Sequence, residues 1–237
     1  MIFVNIKMAF DIVRYEGLLL KLESLGVEGP APAWLKHFLC GRRQRTSVGA
    51  SNSDVGSLHG GVPQGAILSP LLFSVFMNDI VSATSARTNL FADDTSTFVC
   101  DTSLPAVERR LQVAVSNLEA WFNTWGLSVN ISKSAVMVMS TEQSPKWINI
   151  QINGSSIPQV RSHKHLGLLL NDQLNWSDHV TYIVNKTSKK IGLLRRLKSR
   201  LHPIAVQSVY ETCVRPTMEY TSLAWSGVST TDSDQLE

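Results

Sequence analysis

The chain has 237 residues, 43% hydrophobic and 17% charged, a balance ordinary for a soluble globular protein with a sizeable core and one or two domains. Its longest near-apolar run, Gly65 to Met77, is interrupted by Ser69, Pro70 and Ser74 and is too short to span a bilayer; Cys40, Cys100 and Cys213 form no Cys-x-x-Cys pair, which argues against a structural zinc site and for a reducing compartment. The net charge of +3 is uneven: residues 1–178 hold 14 basic and 14 acidic side chains, residues 179–237 hold 8 and 5.

Met1 to Ile6 reads as a short apolar strand. Lys7 follows this apolar start rather than preceding it, the reverse of a cleavable leader, so an intracellular protein, nuclear or cytoplasmic, is expected. Ile12 to Leu25 carries helical spacing and ends at Gly26. Pro30 and Pro32 separate it from a short helix through Trp34, Leu35, Phe38 and Leu39. Arg45 to Val48 and Val55 to Leu58 read as a hairpin around residues 50–53, with Arg42, Arg43 and Arg45 at its entrance. Gly60-Gly61-Val62-Pro63-Gln64-Gly65 is a glycine-rich loop running into a helix, with Ser69 placed to cap it, Pro70 at the first helical position, and apolar residues from Leu71 to Val81 at helical spacing. Glycines let backbone approach a ligand closely, and the Gln64 amide both donates and accepts.

Leu90-Phe91-Ala92-Asp93-Asp94-Thr95 follows as a strand–turn–strand pattern. Two adjacent acids at a hairpin tip are either a solvated turn or the ligands of hard divalent cations, because such cations take oxygen donors. A pair of such ions is how polymerases and nucleases hold attacking and leaving oxygens in line. Downstream, Leu104 to Trp125 is a strongly periodic helix with Pro105 in its first turn, Ala135 to Met139 a strand, and Ile148 to Val160 a hairpin turning on Asn153-Gly154. His165 to Asn171 reads as an apolar strand. His163 and His165 share a strand face with no cysteine or acid nearby, so zinc is not expected there. Val180 to Leu201 is an amphipathic helix broken by Pro203, with short helices beyond. From His179 to Tyr210 there is no acid, while Lys186, Lys189, Lys190, Arg195, Arg196, Lys198 and Arg200 crowd together: a polyanion footprint or a solvated helix face.

The glycine loop, its helix and the carboxylate hairpin together resemble the palm of reverse transcriptases, in particular those of jockey-type non-LTR retrotransposons. The resemblance extends to Phe3–Asp11 as the strand of the first catalytic aspartate, to Gly126–Lys133, to His165-Leu166-Gly167 as a primer-grip hairpin, and to the basic tail as a thumb. It implies an α+β fold, an antiparallel palm sheet with helices on one face (residues 1–172) followed by a helical thumb (residues 173–237), with the fingers missing. It implies RNA-templated DNA synthesis from dNTPs on a DNA primer, with two Mg²⁺ ions, or Mn²⁺, and no membrane partner.

The site residues follow from the same likeness. Asp93 is a metal ligand, and Asp94 a second ligand or a neighbour that tunes the site. Asn5 stands where the family carries its first metal-bridging aspartate. Phe10 lies under the sugar or in the core. Gln64 and Gly65 floor the nucleotide site, and Lys133 is a general acid for pyrophosphate or a surface lysine. Arg42, Arg43, Arg45, Lys186, Lys189, Lys190, Arg195 and Arg196 would meet nucleic acid. An amide offers one neutral oxygen where a carboxylate offers two charged ones, and Asp11, six residues on, is expected only to favour the next helix. The alternative function is therefore a catalytically inactive, nucleic-acid-binding remnant of a retrotransposon, a fragment of a larger element.

Overall fold

The computed structural model describes residues 1–142 and 146–236. They form two compact units, Met1–Val136 with Trp147–Gln159, and Met137–Lys146 with Val160–Glu237.

The first unit is built on a four-stranded antiparallel sheet of β1 (Ile2–Val4), β6 (Arg87–Phe91), β7 (Asp94–Phe98) and β8 (Ala135–Val136), in the order β6-β7-β1-β8. The central β1 is only three residues long and wholly buried, which suits its apolar sequence of Ile, Phe and Val. The remaining elements of this unit are α1 (Tyr15–Ser24), α2 (Ala31–Leu39), the short strands β2 (Arg43–Gln44), β3 (Ser47–Val48), β4 (Ser51–Asn52) and β5 (Gly56–Ser57), then α3 (Ser69–Met77), α4 (Leu104–Trp125), β9 (Gln151–Ile152) and β10 (Ser155–Ser156).

The long helix α4 has the limits its periodicity predicts and buries Leu111, Ala114, Val115, Leu118, Trp121 and Phe122, at spacings of three and four that form one stripe. Each fully buried side chain of this kind contributes about 1.5–3 kcal/mol. One polar residue on α4 holds β9: Gln112 exchanges hydrogen bonds with both the N–H and the C=O of Gln151, at 2.9 and 3.0 Å.

Several elements depart from expectation. The helix after the glycine loop is α-helical only to Met77 and continues as a 3-10 turn, Asn78–Ser82. The hairpin of residues 45–58 is two short ladders, β2 with β5 and β3 with β4, so its tip is Gly49-Ala50. The strand expected over 135–139 is paired only at Ala135–Val136.

The second unit opens with the hairpin β11 (Ser162–His165) and β12 (Leu168–Asn171). The apolar run from His165 read by itself predicts a continuous strand, whereas the family likeness predicts a hairpin at His165-Leu166-Gly167; Leu166 and Gly167 both have positive φ and turn the chain back. The helices α5 (Ser177–Leu197), α6 (Pro203–Val209), α7 (Arg215–Glu219) and α8 (Thr230–Asp234) follow, with a π-helical turn, Tyr210–Val214, joining α6 to α7. The hairpin belongs with these helices because the Leu169 N–H donates to His179 Nδ1 on α5 at 3.2 Å and Lys164 donates to the Tyr182 hydroxyl at 3.0 Å. The compact units therefore divide before the hairpin. Among the described residues no helix is long and apolar enough to cross a membrane.

Lys21 is the buried charge of the first unit. Its ammonium donates to the Phe76 carbonyl at 2.6 Å and to the Asp79 carboxylate, and it lies 4.9, 4.7 and 3.8 Å from the ring centroids of Phe76, Trp121 and Trp125. Burial pushes its pKa down, with Asp79 opposing that shift. The ammonium ties α1 to α3 and α4 through three aromatic faces. Lys21→Ala should cost about 2–4 kcal/mol in urea unfolding, from lost packing of the aliphatic stem against the rings together with lost charged hydrogen bonds and cation–π contact. Lys21→Met, which keeps the volume, should recover at least half of that loss. Equal losses in the two variants would show that the packed volume of the side chain contributes nothing and that its charge carries the whole effect.

Candidate active site

The sheet register sets the centre of the site. Val4 pairs with Thr95 across β1 and β7, and Phe91 with Asp94 across β6 and β7. Asn5, which follows Val4, and Asp94, which precedes Thr95, therefore lie at the same end of the sheet on neighbouring antiparallel strands. Asp93 is in the two-residue turn beside them, where Ala92 takes a φ of 53°. Asn5, Asp93 and Asp94 are all half-buried.

The backbone of Asn5 is held from the other side. Its N–H donates to Ser134 Oγ at 3.1 Å, its C=O accepts from the Asn130 N–H at 2.7 Å, and Ser134 Oγ donates to the Asn130 carbonyl at 2.8 Å. The same segment carries Lys133, whose side chain is exposed. Neither Asn130 nor Ser134 was visible as a site residue in the sequence; an Asn and a Ser four apart carry no signal beyond local turn chemistry.

The glycine loop is fastened to the segment that follows β1. The Gly61 N–H donates to the Val13 carbonyl and the Val62 N–H to the Phe10 carbonyl, both at 2.8 Å. A Cβ on Gly61, whose φ is +83°, would stand 2.8 Å from both the Cα and the carbonyl oxygen of Asp11. The Tyr15 hydroxyl donates to the Gly60 carbonyl at 2.7 Å, and the Arg42 guanidinium donates to the carbonyls of Leu39, Gly60 and Gly61 and to the Tyr15 hydroxyl. Arg42 is thus turned inward and braces the loop, whereas Arg43 and Arg45 are exposed. Ser69 does not cap α3; its hydroxyl donates to the Pro63 carbonyl and closes the loop on itself.

Phe10 is half-buried and stacks on the buried Phe73 of α3, with centroids 4.3 Å apart and planes 13° apart. Gln64 and Gly65 are exposed. Gln64 Nε2 donates to Asp11 Oδ1 at 3.1 Å. Asp11 lies outside α1, whose N-cap is Arg14, so its partner is the glycine loop and not the helix terminus.

The donor set at the sheet end is two carboxylates and one amide. Oxygen donors of this kind suit a hard divalent cation. They are one anion short of a three-acid site, and among the described residues no group of three or more His, Cys, Asp or Glu could hold a metal ion.

On the second unit, α5 presents Lys186, Lys189, Arg195 and Arg196 as exposed cations. Lys190 differs from its neighbours: its ammonium donates to the Cys213 carbonyl and to Thr217 Oγ1, both at 2.6 Å, and so braces α5 against the turn before α7.

A family model for reverse transcriptase (RNA-dependent DNA polymerase) matches residues 1–183. The chain belongs to the reverse transcriptase family. Its relatives are enzymes of non-LTR retrotransposons. It is 29% identical over 250 residues to a probable RNA-directed DNA polymerase from transposon BS of Drosophila melanogaster, covering 100% of this chain and 27% of that protein. It is 28% identical over 231 residues to the RNA-directed DNA polymerase from the mobile element jockey of the same species, covering 92% and 25%. A chain in a structure of telomerase from Candida albicans, in complex with a fragment of telomeric RNA, aligns with a TM-score of 0.42 at 14% identity, over 92% of this chain and 40% of that one. The reverse transcriptase chain thus spans about a quarter of the length of these curated relatives.

The two loop glycines separate strain from clash. Gly65 has a φ of +86° with nothing within 4 Å of an added Cβ, so Gly65→Ala should cost about 1–2 kcal/mol, the left-handed penalty alone. Gly61→Ala adds a backbone collision and should cost clearly more than about 2 kcal/mol. Urea midpoints of the two variants measure the difference; equal values would mean that the loop is not seated on Asp11.

Proposed function

We propose that the chain is the palm and thumb of a retrotransposon reverse transcriptase, a domain built for RNA-templated DNA synthesis, in which Asn5 weakens the nucleotidyl-transfer step. The observation that carries this reading is the β1–β7 register, which sets Asn5 beside Asp94 and the Asp93 turn. In the proposed reaction the primer 3′-oxygen attacks the α-phosphate of a dNTP, a P–O bond forms and pyrophosphate leaves. Bound Mg²⁺ or Mn²⁺ supplies the positive charge that such a displacement requires.

The chain's own residues have separate tasks. Asp93 and Asp94 supply anionic oxygens for the cations, and Asn5 supplies one neutral oxygen. Phe10, backed by Phe73, forms a flat apolar wall beneath the sugar. Gln64, oriented by Asp11, and Gly65 form the floor of the nucleotide site, and Lys133 donates the proton that the leaving pyrophosphate takes up. Residues upstream in longer relatives would supply the fingers that hold the triphosphate. The exposed cations of α5, with Arg43 and Arg45, hold the RNA template and DNA primer through phosphates.

The second reading, a nucleic-acid-binding remnant without catalysis, is favoured by Asn5 alone. The two readings part at one substitution. Asn5→Asp should tighten Mn²⁺ binding at the sheet end by about tenfold or more, near 1.4 kcal/mol, because two cations need the added anion. Titration calorimetry on both chains reads this directly; unchanged affinity would place the cations away from position 5. Robust dNTP incorporation on an RNA template by the unmodified chain would remove the remnant reading and show that an amide suffices.

Duplex binding should fall steeply with salt, since phosphate contacts release counterions. The triple variant Lys189→Ala, Arg195→Ala, Arg196→Ala should lower the slope of log K against log salt by about 2–3. An unchanged slope would show that this face of α5 is merely solvated.

A further inference from the structure

The second unit holds a cavity of about 650 Å³, and of its lining the polymerase reading uses only the exposed Lys186. One wall is α5, through Ile183, Leu193, Leu194 and Leu197, which recur at helical spacing; Val209 and Val214 stand on the wall formed by α6 and the π-helical turn. The lining is mainly apolar. It does not close over: Leu193 is 58% exposed, Val209 37% and Tyr220 52%. A small ligand lodged inside would leave this apolar rim in water, whereas a segment laid along the groove would cover it.

The polar groups around the groove share one sign. Lys164, Lys186 and Lys190 line it, and no Asp or Glu does among the described residues. Lys164 donates to the Tyr182 hydroxyl, whose pKa this bond draws below its usual value. Lys190 spends two of its three donors on Cys213 and Thr217. His179 also lines the groove. It is 1% exposed, its Nδ1 accepts from the Leu169 N–H, and its Nε2 has no hydrogen-bond partner. With Nδ1 accepting, the neutral ring carries its proton on Nε2, a buried donor lacking an acceptor. Burial keeps this imidazole below its ordinary pKa, and so neutral.

We propose that this groove is a docking site for an acidic amphipathic helix of a protein partner. Two helical walls with an apolar floor fit the helix-in-groove mode, in which leucine-like side chains at i, i+3, i+4 and i+7 fill the trough. Carboxylates flanking that stripe would meet Lys164 and Lys186. Charge complementarity selects this occupant over the others. A second copy of the chain would bring its own cationic α5 against these lysines, and a nucleic-acid duplex would satisfy the lysines but leave the leucines and valines wet.

The test uses the full chain and synthetic, fluorescein-labelled helical peptides of about 18 residues, near the length at which isolated helices persist. One peptide has a Leu stripe flanked by Glu, the second has Lys in place of Glu, and the third keeps Glu but has Ser in place of Leu. Fluorescence anisotropy should show the Leu/Glu peptide binding at least about tenfold tighter than either control. Leu193→Glu, at a half-exposed position that should leave the fold intact, should weaken it by a similar factor. Lys164→Ala with Lys186→Ala should weaken it and flatten its salt dependence. Equal binding of the Ser/Glu peptide would reduce the effect to surface charge and overturn the proposal, as would equal binding of the Leu/Lys peptide or no change on Leu193→Glu. A dimer in light scattering that Leu193→Glu dissolves would assign the groove to a second copy instead. Displacement of the Leu/Glu peptide by an RNA–DNA duplex from the unmodified chain, but equally from Leu193→Glu, would assign it to nucleic acid.

Discussion

Everything at the candidate active site depends on the pairing of three residues. Ile2, Phe3 and Val4 pair on one side with β7, and Ile2 and Phe3 pair on the other with β8, so β1 is flanked on both edges. Its register decides which residue emerges beside Asp94. A slip of one position would turn every β1 side chain to the opposite face and would bring Val4 or Ile6 to the place of Asn5. The buried apolar residues on this strand hold that register. Ile2 and Val4 belong to the same core as Leu111, Val115 and Leu118 of α4, so the longest helix of the unit indirectly fixes the position of one amide.

The second constraint is backbone contact between the glycine loop and residues 10–13. Gly61 sits so near Asp11 that no side chain fits, and the carbonyls of Gly60 and Gly61 are met from within by Tyr15 and Arg42. A loop whose peptide oxygens are already paired is stiff without being buried. This is how Gln64 and Gly65 can stand exposed to solvent and still keep a defined position.

Long and strongly patterned features were legible in the sequence. The limits of α4, the Asn153-Gly154 turn and the strand–turn–strand around Asp93 all follow from periodicity and turn chemistry. The likeness to reverse transcriptases was carried by the glycine loop and the paired aspartates, both local in the chain. What the sequence hid was non-local. Arg42 looked like one of three surface arginines, and only the fold shows that its neighbours in space are carbonyls 18 and 19 residues away. Lys190 sits in a basic run but reaches Cys213. Lys21 bears no mark of burial, since its partners lie on α3 and α4. Ser69 obeyed every capping rule and yet bonds to Pro63, because closing the loop competes with capping the helix. Taken by themselves, residues 165–171 read as one apolar strand because a Leu-Gly turn lacks the usual Asn-Gly signature; the family likeness alone put a hairpin there.

The main chain of Asn5 donates to Ser134 and accepts from Asn130, while any chemistry at that position belongs to two terminal atoms of its side chain. An amide and a carboxylate are nearly the same shape, so exchanging one for the other leaves the sheet, the register and the core as they were. Selection that acts on whether the chain folds is blind to that exchange. On the proposed reading of this position, a lineage of mobile elements could lose or regain its chemistry by a single codon change, without passing through a misfolded ancestor.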